Sequence, residues 1–206
     1  MIIEHGGRRP TVHPSAWIAP TAVVSGAVTV GADTRILYGA VLTAEAGAEM
    51  EVGDGCVIME QAVLRASGRF PMRIGTGVLV GPHAYVSGAD VGSRSFIATG
   101  AMVFNGARLG EACIVALGGK VHIDSDLPDG TRVPMGFIAF GRPAIVHPPE
   151  EAPQVHEQMA RLDFMRYVFG VDTSGKERTQ IMEEALSRYT RALTGHADDS
   201  ILDISG

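Results

Sequence analysis

The chain has no apolar run long enough to cross a membrane, no block of like charge and only two cysteines among its 206 residues. A spanning helix needs about 18 apolar residues in succession, and no segment approaches that, so no membrane partner is expected. Formal net charge is −6 with the two signs interspersed, which argues against nucleic acid as the partner. Met1–Pro10 is short and polar and lacks the apolar core of a secretory signal. A soluble, cytoplasmic protein is the expectation. The chain also lacks a nucleophile elbow of the form G-x-S-x-G. Its Gly118-Gly119-Lys120 lacks the spacing that precedes a phosphate-binding lysine.

What the chain has instead is a ladder. Every sixth residue from Val12 is aliphatic: Val12, Ile18, Val24, Val30, Ile36, Leu42. A ten-residue step leads to Val52, Ile58, Leu64, and another to Ile74, Val80, Val86. A five-residue step then leads to Val91, Ile97, Val103, Leu109, Val115, Val121. Four places after most rungs stands a small residue, such as Ala22, Thr34, Ala40, Cys56, Ala62, Ala84, Ser95 or Cys113. This hexapeptide pattern predicts a parallel β-helix, an all-β solenoid. Three hexads make one triangular coil, so the 18 rungs give about six coils. Rungs 12, 30, 52, 74, 91 and 109 form a first side, the rungs after them a second, and rungs 24, 42, 64, 86, 103 and 121 a third.

Glycines 31, 53, 75, 92 and 110 each follow a first-side rung. Such a column marks corners that need backbone freedom or close approach. The ten-residue steps are outward insertions near Glu45–Glu49 and Ser67–Arg73, expected to stack on one edge as a binding face. Cys56 and Cys113 fall on one side three coils apart, on the order of 14 Å at the spacing of parallel strands. That is beyond disulfide reach, so both are expected free and buried. The ladder fades after Val121, and six prolines argue against regular helix from Leu127 to Pro153. Val155, Met159, Leu162, Met165 and Phe169 share a helical face, as do Ile181, Ala185, Tyr189 and Ala192. The expected organisation is a β-helix over 1–126, a Pro-rich closing segment over 127–153 and a helical appendage over 154–206. The segment from His196 to Gly206 is expected to be mobile.

Ile74-Gly-Thr-Gly-Val-Leu-Val-Gly-Pro-His-Ala-Tyr-Val-Ser-Gly-Ala-Asp-Val-Gly resembles the IGxxxxIGHxAxLHGCxIG stretch of gamma-class carbonic anhydrases. The five-residue step from Val86 to Val91 and the closing Gly-Arg-Pro-Ala at 141–144 fit the same branch of the hexapeptide-repeat superfamily. The resemblance covers roughly Val12 to Val146. It implies a left-handed β-helix, a C-terminal helix and a homotrimer. It also implies a zinc site of three histidines at the subunit interface, at positions that correspond here to 65, 82 and 87. Those positions hold Arg65, Pro82 and Ser87. None offers the imidazole, thiolate or carboxylate that zinc takes, so zinc anhydrase chemistry is not expected and no metal ligand is assigned.

The resemblance and the registry leave Glu45, Glu60, His83 and Ser87 as candidate catalytic residues. Arg65, Tyr85 and His122 are candidates for substrate binding. Arg65 could fix a carboxylate or phosphate while His83 or a carboxylate acts as base; alternatively, Arg65 pairs with Glu45 or Glu60 and fills the place of the metal. The functional expectation is a metal-independent transferase working at the subunit interface, by acyl or thioester chemistry on a coenzyme-A-linked or small acidic substrate. Two alternatives stay open: a non-catalytic trimer that binds a small anion or serves assembly, and a carbonic anhydrase whose metal has moved to His83 and His122. The other histidines, His5 and His196 among them, show no metal spacing.

Overall fold

Successive coils set the rungs side by side in parallel register. Val30 lies beside Val52 and Ile74 beside Val91 on the first side, and Ile36 beside Ile58 on the second. On the third, Leu42, Leu64, Val86, Val103 and Val121 follow one another. The computed structural model describes residues 1–202. Among these, the first and second sides are seven-stranded sheets and the third is a ten-stranded sheet. The chain is a left-handed parallel β-helix with C-terminal α-helices.

The rungs are the core. All are buried except Val12 and Ile18 in the first coil, which are half-buried. Each buried aliphatic side chain is worth about 1.5–3 kcal/mol relative to exposure. In a solenoid that gain is made against the coils immediately above and below. The glycine column now has a single cause. A Cβ on Gly31 would meet the Gly53 carbonyl carbon at 2.6 Å, and one on Gly92 would meet that of Gly110 at 2.4 Å. Close approach of backbones, and not a positive φ, excludes side chains there.

The ladder is longer than the sequence reading placed it. Upstream, Ile2 pairs with Val24 and is a buried rung. The step from Ile2 to Val12 is therefore a third ten-residue step. Downstream, Leu127, Val133 and Ala139 continue the three sides as buried rungs. The ladder does not fade at Val121, because Pro128 and Pro134 fall just after their strands, where no ladder N–H is needed. Each long step makes an outward turn on the third-side edge. His5 pairs with Arg8 and Ser67 with Phe70 as antiparallel bridges, and the Ala48 N–H donates to the Glu45 carbonyl at 2.8 Å. The loops at 45 and 67 stack as expected: a Cβ on Gly68 would lie 3.5 Å from the Ala46 carbonyl oxygen.

After the coils the chain forms α1 (Ala152–Ala160), α2 (Phe164–Phe169) and α3 (Arg178–Ala192). Pro153 lies inside α1, contrary to expectation, since the first turn of a helix tolerates its missing N–H. The apolar face from Val155 to Phe169 is broken at Asp163, whose side chain accepts from the Arg166 N–H and starts α2. The tail is also ordered where mobility was expected. Ser200–Leu202 adds antiparallel to Ile2–Glu4, and Ala144–His147 adds antiparallel to Ile138–Gly141 at the far edge. Both exposed edges of the third sheet are thereby paired. The last four residues of that segment lie outside the described ones.

Cys56 and Cys113 are free and buried. Burial pushes both thiols above their usual range. Reductant should leave the unfolding midpoint unchanged. Leu64→Ala, in the closed interior, should cost about 2–5 kcal/mol in denaturant titration. Tyr38→Ala, at a side chain 53% exposed, should cost within about 0.5 kcal/mol.

Candidate functional site

Three corners of the structure hold the seven candidate residues, and they divide into engaged and unengaged groups. Arg65 and Ser87 are register partners on adjacent strands of the third side, as the ladder required. Glu45 stands at the start of the outward loop one coil earlier. Its Oε1 accepts from Arg65 Nε at 3.3 Å and from Arg65 Nη2 at 3.1 Å. The Arg65 guanidinium lies 5.3 Å from the centre of the Tyr189 ring, which α3 brings across it. Burial works against the Arg65 charge, but Tyr189 and Glu45 outweigh it and its pKa rises. Ser87 Oγ donates to Asn105 Oδ1 at 2.6 Å. So Arg65 and Ser87 are both committed to partners within the chain.

Glu45 has a second partner that spacing could not reveal. His196 Nε2 lies 3.2 Å from Glu45 Oε2. His196 Nδ1 and His5 Nδ1 then share one carboxylate, at 2.9 Å from Asp199 Oδ2 and 2.6 Å from Asp199 Oδ1. The two imidazoles stack with centroids 4.2 Å apart. The hydrogen bond to Asp199 and the Glu45 charge raise the His196 pKa against burial. Burial opposes the Asp199 charge, yet the bonds from His196 and His5 outweigh it and hold its pKa low. The sequence spacing of His5 and His196 gives no sign of the grouping they form in space. One donor atom from each of His5, Glu45 and His196 lies within 4.8 Å of the others.

Tyr85 and His122 belong to an aromatic column higher on the third side. Tyr85 and Phe104 have centroids 6.1 Å apart, Phe104 and His122 6.2 Å, and His122 and Phe140 5.4 Å. Among the described residues no hydrogen bond or cation–π contact joins Tyr85 to Arg65; the aromatic ring over Arg65 is Tyr189. His83 is exposed, and His122 lies two coils beyond it, outside the one group of possible metal donors found among the described residues. His83 and Glu60 share one corner on adjacent coils, tied by the His83 N–H donating to the Glu60 carbonyl at 3.1 Å. Neither side chain has a hydrogen-bond partner among the described residues. The positive φ of His83, 57°, recurs at Asp33, Gln61 and Arg94. It belongs to the corner of the coil and carries no functional signal of its own.

Two open clefts lie elsewhere. One of 610 Å³ and one of 520 Å³ run along the first side, lined by Arg8, Glu49, Arg73 and Glu51 in the one and Arg108, Glu111 and Asp129 in the other. In the first, charges are cross-paired, Arg8 with Glu49 and Arg73 with Glu51. Both are open grooves with solvated rims, and the groupings of chemical interest are on the third side and its corners. No helix among the described residues is long and apolar enough to cross a membrane.

His122 supplies a pH test of this geometry. Its Nδ1 is buried without a partner among the described residues. Burial lowers its pKa below the ordinary 6.5, opposed by a backbone hydrogen bond at Ile123. A histidine with a depressed folded-state pKa gives stability that is present above the unfolded value and lost as pH falls through the folded one. Denaturant midpoints between about pH 7 and pH 5 should therefore fall less in His122→Phe than in the parent chain. An identical pH slope in both would show that His122 is not desolvated.

No protein-family model matches the chain. It is 32% identical over 142 residues to gamma carbonic anhydrase 1, mitochondrial, of Arabidopsis thaliana, covering 66% of this chain and 50% of the relative. It is 28% identical over 172 residues to a carboxysome assembly protein of Nostoc, covering 78% of this chain and 30% of that one. The chain thus spans half, or less, of the length of these curated relatives. A crystal structure from Bacillus cereus, assigned as an acetyltransferase, superposes with a TM-score of 0.50 at 23% identity, covering 91% of this chain and 96% of that one; this likeness shows the fold alone. The sequence relatives, the shared solenoid and the coil register together make the chain a gamma-carbonic-anhydrase-like member of the left-handed β-helix hexapeptide-repeat superfamily.

Proposed function

We propose that the protein is a group transferase that moves an acyl group from a thioester, of the coenzyme A class, to a small acidic acceptor at a subunit interface of a homotrimer. The observation that carries this reading is that His83 and Glu60 occupy one corner on adjacent coils, their backbones joined by the His83 N–H donating to the Glu60 carbonyl. Of the four candidate catalytic residues, they are the two whose side chains have no hydrogen-bond partner among the described residues; His83 is exposed and Glu60 half-buried. An imidazole and a carboxylate on neighbouring coils are the two group types that a general base and its orienting partner require. His83 takes the proton from the acceptor's attacking oxygen or nitrogen, the new acyl bond forms, and the carbon–sulfur bond breaks. The departing thiolate recovers the proton. Arg65, held over Glu45, is the cation closest in character to an anchor for the acidic acceptor. Nothing in this chemistry uses zinc, consistent with Arg65, Pro82 and Ser87 at the positions that the family resemblance assigns to zinc ligands.

A second reading is favoured by one specific observation. Arg65 is already neutralised by Glu45 and covered by Tyr189, as in a purely structural ion pair. On that reading the trimer is non-catalytic and serves assembly, the role that the name of the Nostoc relative gives to that protein.

A panel of acyl-coenzyme A thioesters with small carboxylate-bearing amines and alcohols, followed by thiol release, separates the two. The parent chain should release thiol only with an acceptor present. His83→Ala should lower kcat by about 10²–10⁴-fold, the range for loss of a general base, with Glu60→Gln intermediate. Thiol release that is absent throughout, or unchanged in His83→Ala, would leave the assembly reading standing.

A further inference from the structure

We propose that His5, Glu45 and His196 form a binding site for a divalent transition ion of the zinc class, with Asp199 positioning both imidazoles. The site is separate from the His83–Glu60 corner and does not depend on the transfer chemistry proposed there. It is also not at positions 65, 82 and 87.

The donor set comes first. Two imidazoles and a carboxylate are ligands that zinc accepts readily, and three protein ligands leave a fourth position for water or a small ligand. One donor atom from each residue lies within 4.8 Å of the other two. Tetrahedral coordination with bonds near 2.1 Å needs donors about 3.4 Å apart, so side-chain movements of about an ångström would close the set.

The second observation is independent of proximity. His5 is 2% exposed, and its Nε2 is buried with no hydrogen-bond partner among the described residues. A buried imidazole nitrogen left without a partner carries a desolvation penalty of about 1–3 kcal/mol. A metal bond at Nε2 removes that penalty. The third observation is the role of Asp199. Its two carboxylate oxygens take the Nδ1 atoms of His5 and His196. With both Nδ1 atoms engaged as donors, the lone pair of each neutral ring is on Nε2. A carboxylate on the far nitrogen is the usual support for a metal-bound histidine, fixing its tautomer and raising its basicity. One carboxylate serving two stacked rings does this for both at once.

Arg65 does not block the site. It is bonded to Glu45 Oε1, while His196 faces Oε2. Glu45 can therefore keep its guanidinium partner and give its second oxygen to an ion. The site would also join three parts of the chain far apart in sequence: the first outward loop at His5, the second at Glu45, and the tail after α3 at His196. Metal binding should therefore hold the Ser200–Leu202 strand to Ile2–Glu4.

The test uses the full chain purified without a metal-affinity tag, stripped with chelator and dialysed. Zinc uptake is read by mass spectrometry, and cobalt(II) is added as a spectroscopic probe. The parent chain should bind about one zinc per chain, show ligand-field absorption of cobalt in an imidazole–carboxylate site, and melt at a higher temperature with zinc than without. His196→Ala, at an exposed and easily tolerated position, should lose both uptake and the melting shift. His83→Ala and His122→Phe should retain them. Asp199→Asn should weaken zinc binding by about 10–100-fold, as loss of a supporting carboxylate does, while still giving a cobalt spectrum at high cobalt. A parent chain that takes up no zinc, or a His196→Ala chain that binds as the parent does, overturns the proposal, and neither outcome bears on acyl transfer at His83.

Discussion

Everything in this molecule hangs on how closely one coil can approach the next. Parallel strands of adjacent coils sit about 4.8 Å apart, and the ladder hydrogen bonds hold only if the corners close to the same spacing. On the first side this brings Gly92 so near Gly110 that a single Cβ would meet the next backbone at 2.4 Å. The same constraint fills the interior with aliphatic rungs and small residues. A coil of 18 residues has room for three branched side chains and little else. Length can be added only outward, and the three ten-residue steps do that without disturbing the rungs on either side.

That constraint places the chemistry. Side chains next to a rung on the third side point away from the core and repeat at strand spacing, so Thr43, Arg65 and Ser87 form a column by register alone. The loops that leave this side start three residues after a rung, at His5, Glu45 and Ser67. His5 and Glu45 are two strands apart, with the coil of Ser25 and Gly26 between them and no insertion there. Gly26 matters for this reason: a Cβ on it would fall 2.2 Å from the Ala44 carbonyl oxygen. Its lack of a side chain lets the first and second loops close over it, with Gly6 near Ala46. A glycine that is itself no candidate residue, packed against Ala44 beside Glu45, thus helps decide whether His5 and Glu45 share a site.

The core and the coil register were legible because a period of six with a fixed residue class leaves few alternatives. The pairing of Arg65 with Ser87 followed directly from counting rungs, and the bond from Arg65 to Glu45 was one of two readings that the residues allowed. The limits of the ladder were harder to read. Ile2 stands ten residues before Val12, the same step as Leu42 to Val52, yet it begins no visible series because only one rung precedes the loop. Pro128 and Pro134 looked like breakers, although a proline just after a strand costs no ladder bond. The His5–Glu45–His196 grouping lay beyond local reading altogether. It forms because Ser200–Leu202 returns to pair with Ile2–Glu4, and a contact spanning almost the whole chain has no periodic signature. The one local hint was that His5 precedes Gly6-Gly7 in a loop equivalent to the one that begins at Glu45.

Arg65 and a bound dication are compatible only because two carboxylates stand between them and around it. A guanidinium at position 65 would repel a zinc ion placed at that same position, with no anion interposed. One coil earlier the balance differs. Glu45 and Asp199 contribute two negative charges and Arg65 one positive, leaving a net single negative charge around a dication if both imidazoles are neutral. Carboxylates in contact with the ion or its ligands act over shorter distances than the guanidinium, and Coulomb energy falls with separation. The same residues therefore disfavour a metal at the position that the family resemblance would give it and favour one near the chain's joined termini. A site there depends on the tail, and the tail in turn depends on the pairing of its last described strand. Changes in the C-terminal appendage and changes in Glu45 should then act on one property, whereas changes at His83 act on another.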